Sequence, residues 1–218
     1  MEGARQGEGS PSPTRLPRTT GGGRGTPPQL GKPVKEPKRE KKPLNEEQVE
    51  MLRDCMLSKR DRAILEFFLS TGCRVAEVGN VKISDIDFNH RTLLVIGKGN
   101  KERRVYFTER CKRAILNYLK ERKDNTEYLF VSKKAPYKKL NNRGYQVIVK
   151  NMQRMANIEM NITPHTFRHT MATNALRSGM APECIQQILG HNDVGLTLRV
   201  YARVAQTEVE YSYRKLVS

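Results

Sequence analysis

The residues of this chain best suited to chemistry are His165 and Arg168 in T-P-H-T-F-R-H-T (163–170), His191 in L-G-H (189–191), Tyr201 in V-Y-A (200–202) and, far upstream, Arg74 in T-G-C-R-V-A-E (71–77). Two arginines, two histidines and a tyrosine are the parts needed to cut a phosphodiester without a metal. A guanidinium offers a planar fork to phosphate oxygens and offsets their charge. An imidazole moves a proton or donates a hydrogen bond near neutral pH. A phenol relieved of its proton attacks phosphorus and leaves a covalent ester.

These groups lie far apart in sequence, so helices and turns must bring them together. Order is expected from Leu44, with Asn45 as N-cap, Gln48 completing a capping box, and Val49, Leu52 and Met56 on one helical face. Residues 62–70 are apolar almost throughout, which marks a buried helix that Gly72 ends. Arg74 then falls near a helix start, where backbone N–H groups also favour phosphate. From 83 to 107 the pattern turns to β: Ile86 and Phe88 alternate with acids, 92–96 and 103–107 are β-runs, and Gly97-Lys98-Gly99-Asn100 is the turn between them. Helical patterns return at about 111–119 and 142–155. Pro164 suits the first turn of a further helix that Gly179 stops, and a short helix covers 182–189. The expected fold is α+β and mainly α: a helical domain carrying one small three-stranded antiparallel sheet. No internal repeat is visible.

Composition points to a polyanion partner. The chain has 218 residues, 40 Lys and Arg against 23 Asp and Glu, and a formal charge of +17. Residues 1–43 hold 8 of the 16 glycines, 8 of the 11 prolines, and 10 Lys and Arg against 4 Asp and Glu. With almost nothing apolar to bury, that segment is expected to be disordered. Its basic end, 35–43, suits either a strand laid along DNA or a solvated linker. The four scattered cysteines form no C-x-x-C pair, which argues against a zinc ribbon or dithiol site. No apolar h-region and no bilayer-length run is found, so a cytoplasmic setting without membrane is the default.

Single residues have plainer readings. Arg74 can pair with Glu77, three residues on. Lys98 between two glycines can be an ordinary exposed turn lysine, although a long ammonium on a mobile hairpin also reaches into a groove. His165 and Arg168, three apart at a helix start, can face one side. His169 reads as a core or capping histidine, and His191 can cap a helix C-terminus. His165 and His169 also have the i, i+4 spacing of zinc ligands. No glutamate follows the first, and the third ligand would have to be His191 or a cysteine, so no metal is expected.

Taken in order, T-G-C-R-V-A-E, G-K-G-N-K-E-R (97–103), P-H-T-F-R-H-T, L-G-H and the following tyrosine resemble the catalytic domain of the tyrosine recombinases, or phage integrases, over about residues 44–204. The resemblance implies that Arg74 and Arg168 bind the scissile phosphate, with Glu77 orienting the site from behind. It gives His165 the tyrosine proton to accept or relay. Lys98, with Lys101 as the runner-up, would be general acid to the leaving 5′ oxygen. His191 would hydrogen-bond the phosphate and Tyr201 would be the nucleophile. Tyr201 lies ten residues beyond His191, where nine is the commoner spacing; Tyr211 and Tyr213 lie too far into the tail. The resemblance also implies no cofactor, double-stranded DNA as partner, a homo-oligomer on DNA with a tetramer at synapsis, and a nucleoid-associated location. Val209, Tyr213 and Leu216 form an apolar stripe on a tail helix in 205–218. It either packs on its own domain or, as the family suggests, docks on a neighbouring protomer. The family's N-terminal DNA clamp has no counterpart in 1–43. A catalytic fragment and a minimal recombinase both fit, and weak, salt-sensitive DNA binding is expected.

Three functions compete: a site-specific recombinase acting through a 3′-phosphotyrosyl link, a type IB topoisomerase-like nicking-closing enzyme, and a non-catalytic DNA-binding protein. The last is suggested by a helix-turn-helix pattern over 182–201 with Gly190 in the turn. It leaves Arg74, Lys98 and Arg168 without a reason.

Overall fold

Buried aromatic side chains on one central helix organise the chain. The computed structural model describes residues 42–55, 58–97, 99–100, 102–190 and 194–216. Of the segment 1–43 expected to be disordered, all but residues 42 and 43 lies outside the described residues, as do the helical placement of Met56 and Lys98, Lys101 and His191. The described helices are α1 (Glu46–Asp54), α2 (Lys59–Thr71), α3 (Val75–Asn80), α4 (Glu109–Glu121), α5 (Asn142–Met155), α6 (Pro164–Arg177), α7 (Pro182–Leu189) and α8 (Val194–Leu216). Strands β1 (Ile86–Asp87), β2 (Thr92–Ile96) and β3 (Glu102–Tyr106) form an antiparallel sheet in the order β1-β2-β3. The fold is the mainly helical α+β arrangement expected from sequence.

Most helix ends are set by local caps. Asn45 and Gln48 exchange the two hydrogen bonds of a capping box, at 2.8 and 3.1 Å. Thr108 accepts from the Cys111 N–H at 3.3 Å and starts α4 at Glu109, two residues before its apolar pattern begins. Asn141 does the same for α5 at 2.8 Å.

α2 is buried nearly all round. Phe68 stacks on Phe167 of α6 with centroids 5.9 Å apart and meets Tyr145 of α5 edge-on at 5.8 Å. Phe67 meets Phe130 edge-on at 5.6 Å. Such pairs contribute beyond the area they bury. The buried acid of α2, Glu66, is held by Arg53 of α1 at 2.9 and 3.2 Å, since a buried carboxylate needs a paired cation. A smaller cluster, Ala172, Ile185, Leu189, Val200 and Val204, ties α6, α7 and α8 together. In the sheet, Leu93 pairs with Val105 and Val95 with Arg103, and the alternation sends Leu93, Val95 and Val105 inward. Arg103 therefore shares the inward face. No described helix is long and apolar enough to cross a membrane.

Candidate active site

The turn after α2 is the meeting point. Gly72 ends that helix at a φ of 59°, a left-handed conformation open to glycine at little cost. A Cβ there would lie 3.0 Å from Leu189 Cδ2 and 3.3 Å from Met171 Sδ, so α6 and α7 leave no room for a side chain. The Thr71 hydroxyl donates to the Phe67 carbonyl at 2.7 Å and accepts from the Cys73 N–H at 3.2 Å, which stiffens the turn. Arg74 follows as the residue before α3. Burial pushes the Cys73 thiol up to about 11, so beside Arg74 it stays protonated and is no competing nucleophile.

Glu77 is buried and surrounded by arginine. Its carboxylate accepts from the Arg74 N–H at 2.7 Å and from Arg74 Nη1 at 3.0 Å. It also accepts from Arg103 Nη1 at 2.6 Å and Nη2 at 2.8 Å. Burial by itself would raise this carboxyl, but the Arg103 fork, followed by Arg74, holds it below the usual carboxylate range. The Arg74–Glu77 pair expected from spacing is thus present, and it belongs to a larger network. The Arg74 N–H goes to Glu77 and is not presented to a phosphate.

Arg103 is the participant that sequence reading did not single out. It ends G-K-G-N-K-E-R, and its place two residues before Val105 on a strand was a usable signal: a charge on an inward face needs a partner. Its Nε donates to the Ile188 carbonyl at 2.8 Å. Arg168 is only 2% exposed, and its Nη1 and Nη2 donate to the carbonyls of Gly72 and Leu189. Two guanidinium groups therefore meet the last carbonyls of α7, where the helix dipole is negative. Arg168 also joins that end to the Gly72 turn, two residues from Arg74.

His165 is exposed at the start of α6, whereas Arg168, three residues on, is buried; the shared face separates into a surface group and an interior one. His169 is buried, in keeping with a core histidine. Tyr201 is 51% exposed on α8, one residue after Val200 and three before Val204, both buried against α6 and α7. The helix is thereby fastened while Tyr201 remains half exposed to solvent. Gly190 follows α7 with a φ of 88°. Among the described residues, no group of three His, Cys, Asp or Glu side chains stands where a metal could sit.

The phage integrase family profile matches residues 35–208. The chain is 34% identical over 167 residues to tyrosine recombinase XerC of Oceanobacillus iheyensis, covering 73% of this chain and 54% of that protein. It is 35% identical over 181 residues to tyrosine recombinase XerA of Pyrococcus horikoshii, covering 82% of this chain and 62% of that one. It thus spans a little over half the length of these relatives. Among solved structures, a XerA recombinase superposes with a TM-score of 0.70 at 32% identity, over 79% of this chain and 64% of that chain. The Tn1549 transposon integrase bound to transposon right end DNA gives 0.66 at 22% identity, over 83% and 68%, a likeness of fold.

Proposed function

This chain belongs to the phage integrase family, and on that premise we propose that it is a site-specific DNA recombinase acting through a 3′-phosphotyrosyl intermediate with a free 5′ hydroxyl. Residues 44–204 are the proposed catalytic unit, and double-stranded DNA is the proposed substrate. The observation that carries the reading is the Gly72–Arg74 turn: it presents Arg74 and, through its Gly72 carbonyl, holds Arg168 close by. Tyr201 stands half exposed on the helix packed against α6 and α7.

The chemistry follows from these groups. The Tyr201 oxygen attacks phosphorus and its proton passes to His165. The bond from phosphorus to the 5′ oxygen breaks, and Lys98 protonates that oxygen as it leaves. Arg74, Arg168 and His191 offset the charge that builds on the phosphate oxygens, usually the largest contribution to such a step. The phosphotyrosyl ester conserves the broken linkage, so resealing by a 5′ hydroxyl needs neither ATP nor metal.

The test is a nicked suicide duplex carrying a candidate recombination site. Wild-type protein should form a covalent adduct; Tyr201→Phe should form none and Tyr213→Phe should keep it. Tight binding without an adduct would leave a DNA-binding protein. An adduct without strand exchange between two sites would leave a nicking-closing enzyme.

A further inference from the structure

We infer that Arg103 is a positioning residue of this site, acting through Glu77 and the end of α7 to keep the Arg74 guanidinium presented to a phosphate. The inference rests on the recombinase reading. Arg103 lies on β3 with its side chain 13% exposed, and it reaches in two directions. Nη1 and Nη2 grip both oxygens of Glu77, at 2.6 and 2.8 Å, while Nε donates to the Ile188 carbonyl at 2.8 Å. Its stem runs along Gly190, where a Cβ would come within 3.5 Å of Arg103 Cδ.

Two arginines share one carboxylate. Arg103 holds Glu77 by the two-point geometry that suits a guanidinium to a carboxylate. Arg74 meets the same group through Nη1 at 3.0 Å, and its side chain remains 27% exposed. Without Arg103, Glu77 would be left buried with Arg74 as its nearest guanidinium, and the two-point grip would pass to Arg74. A guanidinium held in that way has fewer donors left for a phosphate.

The other arm of Arg103 meets the carbonyl end of α7. β3 also pairs with β2, and Lys98 lies between these two strands in sequence. One side chain thus ties together β3, the Arg74 turn and the end of α7. A lysine could supply the charge, but not two parallel bonds to Glu77 together with a third to Ile188.

Arg103→Met, Arg103→Lys and the Glu77→Gln/Arg103→Met double variant test this on the suicide duplex at saturating protein. Binding of uncleaved duplex and thermal unfolding are measured alongside. Arg103→Met should slow adduct formation about 100-fold, the scale of a small misplacement at a reacting centre, with binding changed less than about threefold. Arg103→Lys should recover part of the rate. The double variant should cleave about tenfold faster than Arg103→Met, because a neutral amide no longer competes for Arg74. A double variant no faster than Arg103→Met, or wild-type cleavage by Arg103→Met, overturns the role. If Arg103→Met does not fold, a folded Arg103→Lys that cleaves at the wild-type rate overturns it equally. Wild-type protein that forms no adduct defeats the recombinase reading and this role with it. An adduct from wild type with no loss in Arg103→Met defeats the Arg103 role alone.

Discussion

Glu77 shows how one buried carboxylate can set the properties of a basic site. Two arginines keep it ionised against the cost of burial, and its folded pKa lies below the ordinary value. A carboxyl of this kind contributes stability that is complete above its unfolded pKa, roughly 4.3, and is lost as pH falls through the lower folded value. Glu77→Gln should therefore be less stable at pH 7 by about 3 kcal/mol, since it leaves two arginines without their shared partner. The difference from wild type should shrink as the pH is lowered below about 4. Denaturant titrations at several pH values measure both, and a difference independent of pH would count against the ionic account.

Among the elements, the ends matter more than the middles. Gly72 combines positive φ with a packed surround, so Gly72→Ala should cost about 2 kcal/mol from the left-handed backbone and the close contact with Leu189. Because the Gly72 carbonyl accepts from Arg168, the same change should also slow adduct formation. A calorimetric scan and a cleavage assay read the two effects separately. α8 is the other decisive element. It runs unbroken from Val194 to Leu216, about 34 Å, so Tyr201 and the tail stripe share one helix. Val200→Ala should cost about 2 kcal/mol through lost burial and a residual cavity. It should reduce cleavage more than DNA binding, because the cluster that Val200 fills also holds Tyr201. Equal losses in both would mean that this packing does not place the tyrosine.

Across the whole molecule, charge and the unpacked end of α8 frame how it would meet its partners. A formal charge of +17 favours DNA and makes binding steeply salt-dependent. Val209, Tyr213 and Leu216 are 69, 65 and 83% exposed, an apolar stripe without cover among the described residues. It supports the proposal that the tail docks on a neighbouring protomer and links active sites in a homo-oligomer on DNA. The Val209→Asp/Leu216→Asp double variant should keep the wild-type melting temperature and single-site cleavage, and should assemble fewer protomers per duplex in sedimentation. Unchanged assembly would reject docking between protomers.

Much of this protein is legible in its residues alone. The capping box at Asn45, the stop at Gly72, the bounds of α5 and α7, and the β2–β3 turn are written in local residue types, because caps and turns are satisfied within four or five residues. The arginines, histidines and tyrosine proposed as the catalytic set stand out in sequence for a related reason: phosphoryl-transfer chemistry restricts residue type. Helix starts such as Glu109 are less clear, since Thr108 caps the helix before its apolar pattern begins. What tertiary structure decided is the wiring between distant positions. Arg103 meets Glu77 across 26 residues and Arg168 meets Gly72 across 96, and nothing local announces either pairing. Arg168 becomes interior while His165, one helical turn away, stays at the surface, because α2, α7 and α8 pack around α6 and bury most of it but not the His165 position. Local chemistry can name the parts of such a site. Only packing places a buried charge against its partner, because the low-dielectric interior that demands the partner exists once the chain has folded.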